Sequence, residues 1–315
     1  MAEYKGIHGT KVRNFSSDPA NPKQGQVWYN TTSSSLKVSS GPLVGSWATV
    51  NNMNTARYYL AGAGTQTAAL GFGGFSPGQL AITESYNGTN WTEVNDMTTA
   101  RSRLAGTGTN TAALAFGGQN TPKNAETESW NGTNWTEVND LNTARSSIAG
   151  AGTNTATLAF GGQDPGYSAL TELWNGSNWT EVNDLNNARS ALAGAGTSTA
   201  ALSFGGEGPI GVKTETWNGT NWTEVNNLGT GRYSLAGVGT NTAALAFGGG
   251  GSSALTETWN GTNWTELGNL NTARGQLAGA GTNTNTVALA FGGSPTTAAT
   301  EEFSISGGIK TIDTD

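Results

Sequence analysis

The chain has 315 residues, 12% of them charged and 35% hydrophobic, with 47 glycines, no cysteine and a single histidine, His8. That much glycine argues against a mostly helical fold, and the lack of Cys and His removes disulfides, thiolate ligands, zinc sites and Ser-His-Asp triads, so neither an enzyme nor a bound metal or cofactor is expected. The net charge is −7, and the eight Arg and seven Lys are scattered instead of clustered, which excludes the concentrated basic surface that nucleic acid requires.

In chain order, the first 20 residues lack the apolar core of a secretory signal, and no apolar run approaches the roughly 18 residues of a membrane span. The expectation is a protein that is not inserted in a membrane and that stays in the cytoplasm or leaves its cell by lysis. Residues 1–44 stand apart from the rest of the chain. Val27-Trp28-Tyr29-Asn30 and Leu36-Lys37-Val38 read as two short strands about a polar Thr-Ser turn. The pattern Gly25-Gln26-Val27-Trp28-Tyr29-Asn30 with Leu36-Lys37 resembles short segments of tailed-bacteriophage tail and fibre proteins. The resemblance implies a virion protein, assembled in the host cytoplasm, whose residues 1–44 attach it to other virion proteins with Trp28 and Tyr29 as contact residues. It also implies a homo-oligomer, because such fibres are commonly trimers. The plain alternative is an extra hairpin packed against the rest of the chain.

From residue 45 to 306 the chain repeats itself six times. The stretch that opens with Trp135-Thr136-Glu137-Val138 recurs from Trp47, Trp91, Trp179, Trp222 and Trp264. Arg57, Arg101, Arg145, Arg189, Arg232 and Arg274 recur every 42–44 residues, and so do the phenylalanines of the Phe-Gly-Gly motif. Each unit reads as four short strands, for example 146–153, 156–160, 171–174 and 179–182. The last two are joined by Asn175-Gly176, a strong hairpin signal because both residues tolerate positive φ. Four antiparallel strands per unit of this length predict a β-propeller, all-β, with six blades.

The ends favour a ring over a solenoid. The last unit lacks a fourth strand, and the missing piece, containing Trp47, stands at the head of the repeats. Trp47 is therefore expected to lie in a closure strand that completes the last blade, removing open sheet edges. Residues 307–315 are read as a C-terminal tail, although Ile309-Lys310-Thr311-Ile312 is strand-like and could compete for, or add beside, that outer position. Arg at the head of a unit, a strand ending in Gly-Gly, an aromatic and then Trp resemble Kelch repeats, as in Tyr86 followed by Trp91. The resemblance covers about 260 residues and implies the same six-bladed fold; the copies are more alike than Kelch units usually are.

Most of the 11 Trp are expected to fill gaps between blades. The six Arg form a ring expected to make ion pairs between blades with Glu84, Glu128, Glu172, Glu215, Glu257 and Glu301, or backbone hydrogen bonds, the other reading being an anion-binding channel mouth. Asn139-Asp140-Leu141-Asn142 mimics calcium chemistry, but only three units have the Asp, so a turn is the better account. The loop after Gly-Gly differs in every copy, and a rigid scaffold with divergent loops on one rim is how binding surfaces are built. Phe75, Gln79, Lys123, Tyr167, Ile210 and Lys213 are the candidate contacts, for a host-surface glycan or protein. Two alternatives stay open: a purely structural spacer or decoration subunit of the virion, and a bacterial surface or cytoplasmic protein-interaction propeller.

Overall fold

The structure is a computed structural model, and it describes residues 12–19, 25–39, 44–120, 124–207, 211–306 and 309–312. The chain divides into two compact units, Ser46–Ser304 and a smaller one formed by Met1–Gly45 with Ile305–Asp315. Among the described residues there is no helix.

The larger unit is propeller-like, built of six four-stranded antiparallel sheets, numbered here by their first strands, which begin at Ala61, Ala105, Ala149, Ala193, Ala236 and Ala278. Sheet 3 is representative, with Ala149–Thr153, Ala156–Phe160, Thr171–Trp174 and Trp179–Val182 hydrogen-bonded in that order. In sheet 6 the order is Ala278–Gly281, Val287–Phe291, Thr300–Ser306 and then Val44–Val50, so the fourth strand comes from the head of the repeats. The second strand of each sheet is buried almost throughout, which is why it reads as an unbroken run such as Ala113-Leu114-Ala115-Phe116 rather than as an alternation.

Adjacent sheets meet through one set of contacts repeated at every seam. The Trp that opens each fourth strand lays its ring on the Phe that closes the second strand of the preceding sheet, as Trp135 does on Phe72 with centroids 4.8 Å apart. Its indole N–H donates to the Thr that opens that sheet's third strand, Trp135 to Thr83 at 3.0 Å. Sheet 1 meets sheet 6 in the same way, with Trp91 on Phe291 at 4.9 Å and its N–H on Thr300 at 3.1 Å. Trp47 treats sheet 5 identically, lying 4.9 Å from Phe247 and donating to Thr256 at 2.9 Å.

Glycine is required where this packing is tightest. A Cβ on Gly106 would sit 2.4 Å from Cζ of Phe72, so the first strands of neighbouring sheets approach only because that position has no side chain. The second set of paired aromatics, Trp130 with Trp135 and its equivalents, stacks within a sheet at 5.4 Å. The repeated Asn-Gly hairpins are turns capped by their own asparagine, whose side chain accepts from the N–H groups of the residues two and three on. Asp96, Asp140 and Asp184 accept from the backbone N–H of Thr83, Thr127 and Thr171; Asn52, Asn227 and Asn269 do the same in the other units, so turn bonding accounts for the calcium-like pattern.

The smaller unit holds a second sheet, in which Arg13–Phe15 runs parallel to Val27–Asn30, which pairs antiparallel with Ser35–Ser39. The strand-like tail Ile309–Ile312 does not join sheet 6; it pairs with Ser35–Ser39. Trp28 is buried, and its N–H and that of Asn30 both donate to Asp18, holding that carboxyl below its usual range.

Candidate functional site

The six repeated arginines precede the first strand of each sheet, and every one is buried. Each faces the Glu on the third strand of the same sheet, at distances from 2.7 Å for Arg274 and Glu301 to 3.1 Å for Arg145 and Glu172. Burial draws each guanidinium down from its ordinary value, and the carboxylate opposes that shift. The ion pairs are thus formed within a sheet, which corrects the expected ion pairing between blades, while the expected backbone bonds are present, as from Arg101 to the Glu126 carbonyl and from Arg189 to the Lys213 carbonyl; no open ring of cations is left for an anion channel. What reaches the neighbouring sheet is the arginine's backbone. The Arg101 carbonyl accepts from Gly74 of sheet 1 at 2.9 Å, and the Arg57 carbonyl from Gly293 of sheet 6 at 2.9 Å. The Glu does more than pair: Glu172 also accepts from the backbone and side chain of Asn142, fixing the connection on which the arginine stands.

Two residues after each arginine the chain takes an uncommon conformation. Tyr59, Arg103, Ser147, Ala191, Ser234 and Gln276 all have φ between 51° and 57°, the left-handed region that residues with a Cβ avoid. This is why the first strand of sheet 3 begins at Ala149 rather than Ser146. Each of these residues donates its N–H to the carbonyl of its counterpart in the sheet before, Arg103 to Tyr59 at 2.9 Å and Ser147 to Arg103 at 2.8 Å, and the series runs on until Tyr59 donates to Gln276 at 2.9 Å. The left-handed turn aims each N–H at its neighbour, so the strain is held by a belt of six hydrogen bonds. Together with the adjacent leucines and Ile148, these residues line a shallow central mouth of about 100 Å³.

The side chains at this mouth are the ones that differ between copies. Tyr58 and Tyr59 stand in sheet 1 where the others have Ser102 and Arg103, Ser146 and Ser147, Ser190 and Ala191, Tyr233 and Ser234, or Gly275 and Gln276. Beside the mouth, Tyr58, Tyr59, Phe75, Gln79, Ser102, Arg103 and Gln119 surround a cavity of about 170 Å³. Its aromatic wall is continuous: Tyr58 lies 5.2 Å from Tyr59 and 5.5 Å from Phe75, and the Arg103 guanidinium sits 4.2 Å over the Tyr59 ring. Burial pushes the Tyr59 phenol up, with Arg103 partly opposing. Backbone bonds hold both walls, Phe75 to Tyr58 at 2.8 Å and Gln119 to Ser102 at 2.7 Å.

Of the residues singled out from sequence, Phe75 and Gln79 come together here. Tyr167 is 46% exposed on a two-residue hairpin of its own, and Lys213 pairs with Glu224. Lys123 and Ile210 lie outside the described residues. In the smaller unit Trp28 is a core residue, whereas Tyr29, one step along the strand, faces outward. Tyr58, Tyr59 and Arg103 escaped the sequence reading because they directly follow an invariant arginine and look like the start of a strand. The available signal was their variation between copies, as great as that of the loops. Among the described residues no cluster of three potential metal ligands occurs. No protein-family model matches the chain, and neither does any curated protein.

Proposed function

We propose that this chain is a non-enzymatic structural protein of a bacteriophage virion, of tail fibre or appendage type. In this reading the six sheets are the blades of a closed, Kelch-like propeller that presents one face to a host-surface glycan or protein, while residues 1–44 join it to other virion proteins. Closure is supported by the seam and belt contacts, in which sheet 6 treats sheet 1 as every other sheet treats its successor. The binding role is carried by one observation: copies that agree at their seams diverge where Tyr58, Tyr59, Phe75, Gln79 and Arg103 meet beside the central mouth. The partly exposed aromatic rings gathered there serve no seam, unlike the buried Trp and Phe rings that pack one sheet on the next.

The test is on particles. Mass spectrometry of purified virions should detect the protein, and an excess of the isolated protein should slow adsorption to the host. Its absence from particles would refute the virion assignment, and undiminished adsorption would leave a spacer role in place of a binding one.

A further inference from the structure

We propose that the cavity bounded by Tyr58, Tyr59, Phe75, Gln79, Arg103 and Gln119 binds a single acidic sugar residue, its ring against the aromatic wall and its carboxylate on Arg103. The inference rests on the glycan-binding reading above and gives that reading a location and a ligand class.

Size sets the first limit. At about 170 Å³ the cavity is smaller than the ~300–1,000 Å³ of sites that enclose drug-sized ligands, so it admits one ring and leaves the rest of a chain outside. Chemistry sets the second. A pyranose has an apolar C–H face and a polar edge of hydroxyls, and the cavity offers the matching pair of surfaces. Its aromatic side chains supply the apolar wall, and the Gln79 and Gln119 amides supply both donors and acceptors.

Charge sets the third. Arg103 is the one arginine between residues 46 and 304 that does not belong to the repeat. The six repeated arginines face buried carboxylates, but among the described residues no carboxylate lies within ion-pair distance of Arg103. Resting on Tyr59, it still presents its N–H edges, the fork that recognises a carboxylate. In a chain of net charge −7, a cation with no ion-pair partner among the described residues, held over an aromatic ring at a cavity wall, is an expensive way to cover surface and a direct way to select an anion.

The cavity is also preformed. Its walls are fixed by the backbone pairs between Tyr58 and Phe75 and between Ser102 and Gln119, so little ordering is needed on binding. No other copy places two adjacent aromatics there: the counterparts of Tyr58 and Tyr59 are mainly Ser, Ala, Gly and Gln.

The copies themselves supply safe variants. Tyr59→Ser and Arg103→Ser install the residue that Ser147 and Ser234 already provide at the same backbone conformation, and both should melt with the parent. Titration of the full chain with methyl glucuronide and methyl galacturonide, followed by saturation-transfer NMR, should show binding, with methyl glucoside and methyl galactoside weaker. Arg103→Ser should weaken the acidic sugars about tenfold or more and leave the neutral ones unchanged, because it removes a charge-assisted bond. Tyr59→Ser should weaken all four. Neutral sugars bound as well as acidic ones, variants that bind like the parent, or a parent that binds none of the four would each overturn the proposal. Adsorption separates this from the broader reading. If the parent protein and Arg103→Ser compete equally for the host, the sugar site falls and host binding stands; if the parent does not compete at all, host binding itself falls.

Discussion

The seams between sheets and the central mouth were copied together, and they have fared differently. At every seam the residues are the same, a Trp on a Phe and a Thr, whereas five residue types occupy the six left-handed positions of the mouth. The difference lies in what each position must satisfy. A seam side chain is buried against two sheets, and a change in its volume or hydrogen bonding is felt on both. A mouth side chain hangs from a backbone that is fixed by its own N–H and carbonyl, so its identity is free to change while the belt remains.

The largest test of that contrast is to break a seam from beneath. Glu84→Ala would leave the buried Arg57 guanidinium without its carboxylate and the Asn54 and Thr55 N–H groups without their acceptor. It should cost about 3–5 kcal/mol in denaturant unfolding. A loss below about 1 kcal/mol would mean the pair contributes little to holding the connection.

A position next to the seams, filled differently in different sheets, offers a second test. Where sheets 2 to 5 have Trp130, Trp174, Trp217 and Trp259, sheet 1 has Tyr86, whose hydroxyl donates to Glu302 of sheet 6 at 3.1 Å. Burial, with Glu302 adding to it, pushes the phenol up to about 12. A raised folded value means that its contribution is complete below the unfolded value of about 10 and disappears as pH climbs through about 12. Solvent screening of the partly buried hydroxyl reduces the loss to on the order of 1 kcal/mol. Tyr86→Trp should flatten this part of the pH–stability curve, and a curve unchanged by the substitution would place the titration elsewhere.

The smallest effect is expected at the mouth, with the opposite sign. Ala191 has φ 52°, and Ala191→Gly relieves the left-handed penalty while loosening the unfolded chain, for a net gain of up to about 1 kcal/mol. Destabilisation would show that the side chain there contributes packing.

Much of the fold was legible because its signals are local. Phe-Gly-Gly, Asn-Gly and the Trp-Thr-Glu-Val strands fix turns and periodicity within a few residues, and the third and fourth strands of sheet 3 fall at 171–174 and 179–182, as read. The partner of each arginine was less legible. Glu recurs in every unit, so spacing alone cannot tell a neighbour's Glu from the unit's own, and only strand register places Glu128 across from Ala115, beside Arg101. The mouth was hidden for a different reason. Positive φ at Ser147 or Ala191 is imposed by the belt, a tertiary arrangement, and no local preference of Ser or Ala announces it. In the smaller unit, Arg13–Phe15 is three residues with no alternation, and its parallel pairing with Val27–Asn30 had no signature to find.

The most direct test of the proposed circular arrangement is a pair of double-mutant cycles. Trp135 and Thr83 are 52 residues apart and join sheets 2 and 1, while Trp91 and Thr300 are 209 residues apart and join sheets 1 and 6. With Trp→Phe and Thr→Val at each pair, the two coupling energies should agree, at about 0.5–1.5 kcal/mol each. Equal couplings are the prediction; a normal value for Trp135 and Thr83 with none for Trp91 and Thr300 would contradict it.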